Sequence, residues 1–219
     1  MKLPLSNRLL TCCGFVRPGD RVADVGCDHG YLGIHLLQSG IAVSVIESDI
    51  APGPLDSARR NAAKYGTEES TTFCLSDGVQ SIPRDFDTLV CAGMGGDTMI
   101  SILEAAPWLR NGRYRLILQC QSKRPELRRY LSEQGFAIHR ETLAQDGKFL
   151  YPVMEVVYAP GQTLSGVELY ITPALLQSAS PLLPAFLAHV LGGIRKAAQY
   201  DDSQKPLLAQ LEQIRNNLA

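Results

Sequence analysis

The sequence has no C-x-x-C pair, although it holds six cysteines: Cys12, Cys13, Cys27, Cys74, Cys91 and Cys120. That excludes zinc ribbons and thioredoxin-like redox motifs, and no metal is expected. The apolar surroundings of these thiols read as the reduced core of a cytosolic protein. No apolar run is long enough to cross a bilayer. The longest, "PLLPAFLAHVLGGI" at 181–194, contains Pro184 and His189 and reads as a packed helix. The start, "MKLPLSNRLL", lacks the apolar stretch and cleavage site of a secretory signal, so a cytoplasmic protein with no membrane partner is expected. An excess of positive charge is missing too. Lys and Arg number 21 against 22 Asp and Glu, a formal net charge of −1. A globally basic nucleic-acid binder would not look like this, so any contact with nucleic acid has to come from a local patch.

What is present is an alternation. Residues 3–15 suit a short amphipathic helix. Apolar runs that stop at Gly or Asp read as strands at 21–26, 42–49, 71–78 and 86–96, and the run 114–121 reads as a fifth. Helical spacing fills the gaps at 31–40, 53–66, after Gly96, and at 124–136, with Pro54 and Pro125 near helix starts and Gly40 and Gly66 at stops. Two further strands flank the turn "QDGK". The fold class that follows is α/β: a doubly wound, Rossmann-like sheet, mostly parallel with one antiparallel strand, over residues 1–160. Residues 161–219 read as a small C-terminal helical hairpin. Its stripes are Leu182, Leu183, Phe186, Leu187, Val190, Leu191 and Ile194, and then Leu207 or Leu208, Leu211, Ile214 and Leu218. The spacing is coiled-coil-like but too short for a sustained heptad repeat.

Ligands of such sheets sit beyond the carboxyl ends of the strands. The first strand there runs into "DVGCDHGYLG", 24–33. A dinucleotide site would need G-x-G-x-x-G so that a pyrophosphate could reach a helix N-terminus. Here Asp28 stands where the second glycine would be. An acid is unfavourable beside a phosphate and tolerable beside a cation. S-adenosylmethionine carries an ammonium and a sulfonium and no phosphate. Asp24 is placed to meet its ammonium, Gly26 to give close backbone approach, Asp49 (or Glu47) to bridge the ribose hydroxyls, and Asp77 with Gly78 to meet the adenine. Three acids at three successive strand ends point to a methyl donor and not to NAD.

These residues carry a resemblance. The chain resembles the bacterial tRNA adenine-N1 methyltransferases that act on adenosine 22. The similarity lies in an L-S-x-R-L start, in "DVGCDHGYL", in "SDIAPGPLDSARRN", in "AGMGG" at 92–96, and in the late strands "LILQCQ" and "ETLAQDGKFLYPVMEV". The spacing in the second segment favours Asp49 over Glu47. The combination of D-H-x-Y with A-G-M-G-G is much more specific than either piece. Three departures stand out: Gly33 where the family has proline, Cys120 and Gln121 where it reads P-N, and Pro152 where an acid often follows the late tyrosine.

The resemblance implies S-adenosylmethionine as cofactor, tRNA as partner, and methyl transfer to adenine N1 at position 22. Cys27, His29 and Gly93 join the expected cofactor contacts. Asp28, Tyr31, Gly93 and Met94 are the candidate catalytic residues, with Tyr31 as a face for a base turned out of its stack. No N/D-P-P-Y/F motif grips an exocyclic amine, which fits a ring nitrogen as acceptor. Gly95 and Gly96 are expected to let backbone approach the base, and Gln119 to face it. Asp97 is expected to cap the helix that follows. Arg110, Arg113, Arg115, Lys123, Arg124, Arg128 and Arg129 form a basic cluster. Arg128 and Arg129, with Arg8 on the same face, are its expected phosphate contacts. The expected oligomeric state is a monomer or weak dimer. Two other functions stay open: a methyltransferase acting on a small molecule or protein, and a non-catalytic cofactor-binding module that interacts with RNA.

Overall fold

The computed structural model describes residues 3–218. Helix α1 (Asn7–Cys13) leads into strand β1 (Asp20–Val25), and α2 (Tyr31–Gln38) returns the chain to β2 (Ala42–Asp49). Then come α3 (Pro52–Tyr65), β3 (Thr71–Leu75), β4 (Thr88–Met94), α4 (Gly96–Glu104), β5 (Arg115–Cys120) and α5 (Arg124–Glu133). A hairpin of β6 (Phe136–Asp146) and β7 (Phe149–Tyr158) closes a seven-stranded sheet of order β3-β2-β1-β4-β5-β7-β6. β7 pairs antiparallel with both β5 and β6, and β1 to β5 pair in parallel. This is the doubly wound sheet with one antiparallel strand that the alternation predicts. Helix α1 is shorter than expected, and β3 ends at Leu75, so Asp77 lies in the turn beyond it.

Side chains alternate along each central strand, and the two faces fill two cores. Val22, Val90 and Ile117 pack with Cys12, Cys13, Leu32 and Leu36 from α1 and α2. Ala23, Leu89, Cys91, Leu116 and Leu118 pack with Met99, Leu103, Leu127 and Leu131 from α4 and α5. Burial on both faces is why these strands read as apolar runs.

Two members of the basic cluster are interior. Arg115 opens β5 and joins Asp20, Thr88 and Glu155, with its guanidinium 3.1 Å from Glu155. Asp20 and Thr88 are the first residues of β1 and β4, so this network locks the strands at the end of the sheet away from the site. Arg128 is 1% exposed. It pairs with Glu141 on β6 and donates to the carbonyls of Leu169 (3.0 Å) and Tyr170 (2.7 Å), while Thr172 donates to the other Glu141 oxygen. The expectation that Arg128 meets RNA phosphates is therefore wrong. Its charge is spent inside, where α5, β6 and the C-terminal segment converge.

That segment is more than a hairpin. A 3₁₀ turn (Gly166–Leu169) and a short helix α6 (Pro173–Gln177) precede α7 (Leu183–Ala197) and α8 (Lys205–Asn217). Leu183, Phe186, Leu187, Leu191, Ile194 and Leu211 pack on Ile171, Leu175 and Leu143, so the helices share a core with β6. Leu218 is 43% exposed and lies outside that stripe. No helix among the described residues is long and apolar enough to cross a membrane.

Candidate active site at the carboxyl ends of the strands

The turn after β1 is built from positive-φ residues. Gly26 (φ 76°), Asp28 (φ 52°) and Gly30 (φ 68°) bend the chain back on itself before α2. The amides of Gly26 and Cys27 both donate to the Ser48 carbonyl, at 2.8 and 3.0 Å, which fixes the turn against β2. A side chain at Gly26 would meet the Met94 methyl at 2.3 Å, so Met94 lies directly over this glycine.

Gly26 is shared by two recesses that together form one cleft. The first, about 250 Å³, is lined by Asp49, Ile50, Asp77, Gly78 and Met94. The second, about 210 Å³, is lined by Arg8, Asp24, Cys27, Asp28, His29, Tyr31 and Gly93. Asp49 ends β2, and its two oxygens accept from the amides of Ala51 (3.0 Å) and Asp28 (3.3 Å). Backbone pins that carboxylate and leaves acceptor capacity facing the first recess. Asp77 stands exposed in the turn beyond β3.

Asp24 is 4% exposed. Burial, and then the Asp49 charge, push its carboxyl up to about 7. Glu47, immediately behind, is 1% exposed and raised well above the usual carboxylate range, by burial and then by Asp24. Its Oε2 has no partner among the described residues. Burial and Glu47 also push the Cys27 thiol up, so Cys27 is a neutral wall and not a nucleophile.

The structure brings Asp24, Gly26, Cys27, Asp28, His29, Tyr31, Asp49, Asp77, Gly78, Gly93 and Met94 to this one cleft. The Tyr31 ring lies 5.7 Å from His29 and edge-on to Tyr65 at 6.4 Å. Other expectations change. Arg8 lines the cleft itself, away from the outer basic face: it donates to Gln119 Oε1 (3.0 Å), sits 3.7 Å from Asp146, and would touch a Cβ on Gly93 at 3.1 Å. Gln119 is fully buried and does not face a base; its Oε1 also accepts from the Gly93 amide at 3.1 Å, so it is a strut beneath that loop. Gly96 is buried, its amide donates to Ser122, and its Cβ position is 2.5 Å from the Lys123 carbonyl. It is glycine because the β4–α4 turn packs on the β5–α5 loop, not because a base approaches. The Cβ side of Gly95 likewise faces Ser122, at 3.0 Å. Asp97 does not cap α4; Gly95 is at the N-cap and Asp97 pairs with Lys123. Arg129 remains exposed on α5.

Ile50, 68% exposed at the rim of the first recess, was missing from the sequence reading. Its signal was available: a large apolar residue directly after a strand-end acid, in a loop.

Known proteins agree with this geometry. A profile of the family described as "Methyltransferase domain" matches residues 5–154. The tRNA (adenine(22)-N(1))-methyltransferase of Bacillus subtilis is 34% identical over 149 residues, 67% of this chain and 63% of that protein. A Mycoplasma pneumoniae protein named "Putative tRNA methyltransferase" is 34% identical over 160 residues, 70% of this chain and 71% of that one. The chain thus aligns with somewhat under two thirds of the length of the first two curated relatives, 63% and 61%. A Streptococcus pneumoniae crystal structure, described as a "putative tRNA (m1A22) methyltransferase" in complex with S-adenosyl-L-methionine, superposes with a TM-score of 0.88 at 26% identity, over 96% of this chain and 99% of that one.

Proposed function

The chain belongs to the methyltransferase-domain family, and on that premise we infer that it transfers a methyl group from S-adenosylmethionine to N1 of an adenine in tRNA, at position 22. The observation that carries this reading is the two-part cleft hinged at Gly26, with acids on both sides and a glycine-backed loop opposite. The residues fit the cofactor. Asp49 presents free carboxylate lone pairs where vicinal ribose hydroxyls would lie, and Asp77 with Ile50 frames an adenine edge and face. Asp24 offers an acid for an ammonium, and Arg8 a cation for the adjoining carboxylate. When bound, the cofactor supplies an electrophilic methyl on a sulfonium.

The chain's own work is positioning. Adenine N1 carries a free lone pair, and no proton leaves it before transfer. A strong general base is therefore not needed, and holding the acceptor in line supplies most of the acceleration. Tyr31 offers the ring for a base turned out of its stack. Gly93, held by Gln119, keeps the opposite wall free of a side chain. Asp28 and His29, with 3.7 Å between Asp28 Oδ1 and His29 Nε2, border the entrance. The nearby acids also tolerate the positive charge that the adenine acquires. Six free thiols suit a reducing cytoplasm, where such an RNA would be met.

The test is incubation with S-adenosylmethionine and unmodified bulk tRNA, followed by nucleoside mass spectrometry. N1-methyladenosine is expected. Bound cofactor with no methylated nucleoside would move the reading to a small-molecule or protein acceptor, or to a non-catalytic module.

A further inference from the structure

Beside the cleft lies a third recess, of about 450 Å³, which the reaction above does not use. It sits between the start of α5, the tip of the β6–β7 hairpin and α7. Gln121, Arg124, Lys148, Phe149, Tyr151 and His189 line it, and no acid does. Its size is in the range of small-ligand sites.

Two features are unexplained by the fold. Arg124 is half-buried with no carboxylate in ion-pair range among the described residues; it only stacks over Phe186 at 5.3 Å. Burial and the neighbouring Arg128 both act against its charge, so an anion in the recess would relieve it. Phe149 is 54% exposed, with Lys148 5.3 Å from its ring centroid and the Tyr151 ring 6.1 Å away. An exposed and a half-buried aromatic interleaved with cations that have no ion pair among the described residues are a surface for stacked bases and phosphates. The recess also adjoins the cleft. The Gln121 amide donates to the Met94 carbonyl (2.9 Å), its Nε2 lies 3.6 Å from the Cβ position of Gly93, and Asp146 of the hairpin reaches Arg8 in the cleft.

We propose that this recess holds the nucleotide adjoining the methylated adenosine, its base against Phe149 and Tyr151 and its phosphate against Arg124 and Lys148. The proposal rests on the tRNA reading above. It gives the C-terminal helices a part in the site, since His189 on α7 forms one wall.

The test uses the full chain with bound S-adenosylmethionine, the variants Phe149→Ala and Lys148→Ala, and tRNA transcripts carrying an abasic nucleotide on either side of the target. Both side chains are exposed, so melting temperature and cofactor affinity should not change. One abasic neighbour should weaken RNA binding by about ten-fold in the unaltered chain, and Phe149→Ala should cost about the same with intact RNA. The two losses should not multiply, because they remove the same stack. Lys148→Ala should weaken binding and flatten its salt dependence. The pocket is overturned if Phe149→Ala binds and methylates intact tRNA like the unaltered chain, or if the losses multiply in full. An unaltered chain that methylates no tRNA overturns the underlying reading, and the pocket with it.

Discussion

At the scale of single residues, the cleft holds strain that the rest of the fold has to offset. Asp24 keeps its proton up to about pH 7 when folded, against an ordinary value of 3.8. The unfolded chain ionises first, so stability falls as pH rises from about 4 to about 7. Asp24→Asn removes that penalty. It should stabilise the cofactor-free protein at pH 8 by on the order of 2–4 kcal/mol, by denaturant titration, while cofactor binding is lost. In the unaltered chain, cofactor affinity should rise between pH 6 and pH 8, as Asp24 ionises to meet the ammonium; a flat profile by calorimetry would remove Asp24 from that role. Gly33 is a second case. A Cβ there would lie 2.1 Å from Glu47 Oε1 and 2.7 Å from a Val45 methyl, so α2 packs this closely on β2 only through a glycine. Gly33→Ala should cost about 1–3 kcal/mol by overpacking, and Glu47→Ala in the same chain should return part of it. Additive losses would show that Glu47 is not the obstacle.

At the scale of elements, α5 shows how one helix divides its charges. Arg128 and Arg129 are neighbours in sequence, yet one is 1% exposed and the other faces solvent. Arg128→Met leaves Glu141 buried without its partner, so a loss of about 3–5 kcal/mol is expected, read as a fall in melting temperature. Arg129→Glu should leave melting unchanged and lower tRNA affinity several-fold, with the salt slope reduced by about 1. Equal melting losses for both would contradict this division. The sequence could not separate the two, because a run of arginines reads the same whether it faces water or a carboxylate. Glu141 is 13 positions away on a strand whose pairing a local pattern does not reveal. Arg115 was hidden in the same way, its partners Asp20 and Glu155 being 95 and 40 positions distant.

At the scale of the whole molecule, the sheet and its business end were legible, for a physical reason. Parallel strands buried on both faces make unbroken apolar runs, and the runs that border the cleft, β1, β2 and β4, meet Gly26, Asp49 and Gly93 where the ligand side begins. Gly26, Asp49 and Gly93 could therefore be placed from their positions at strand ends. What was not legible is what joins distant segments: Arg8 crossing from α1 to Gln119, Gly96 packing on the β5–α5 loop, and the C-terminal helices sharing a core with β6. The molecule thus pairs a cleft at the strand ends with a neighbouring recess to which its last helices contribute Ala185 and His189. The most direct measurement is transfer of labelled methyl to two tRNA transcripts, one with adenosine at position 22 and one with guanosine there. The account predicts one methyl on N1 of adenosine 22 in the first and none in the second. Equal transfer to both, or to neither while the cofactor stays bound, would contradict it.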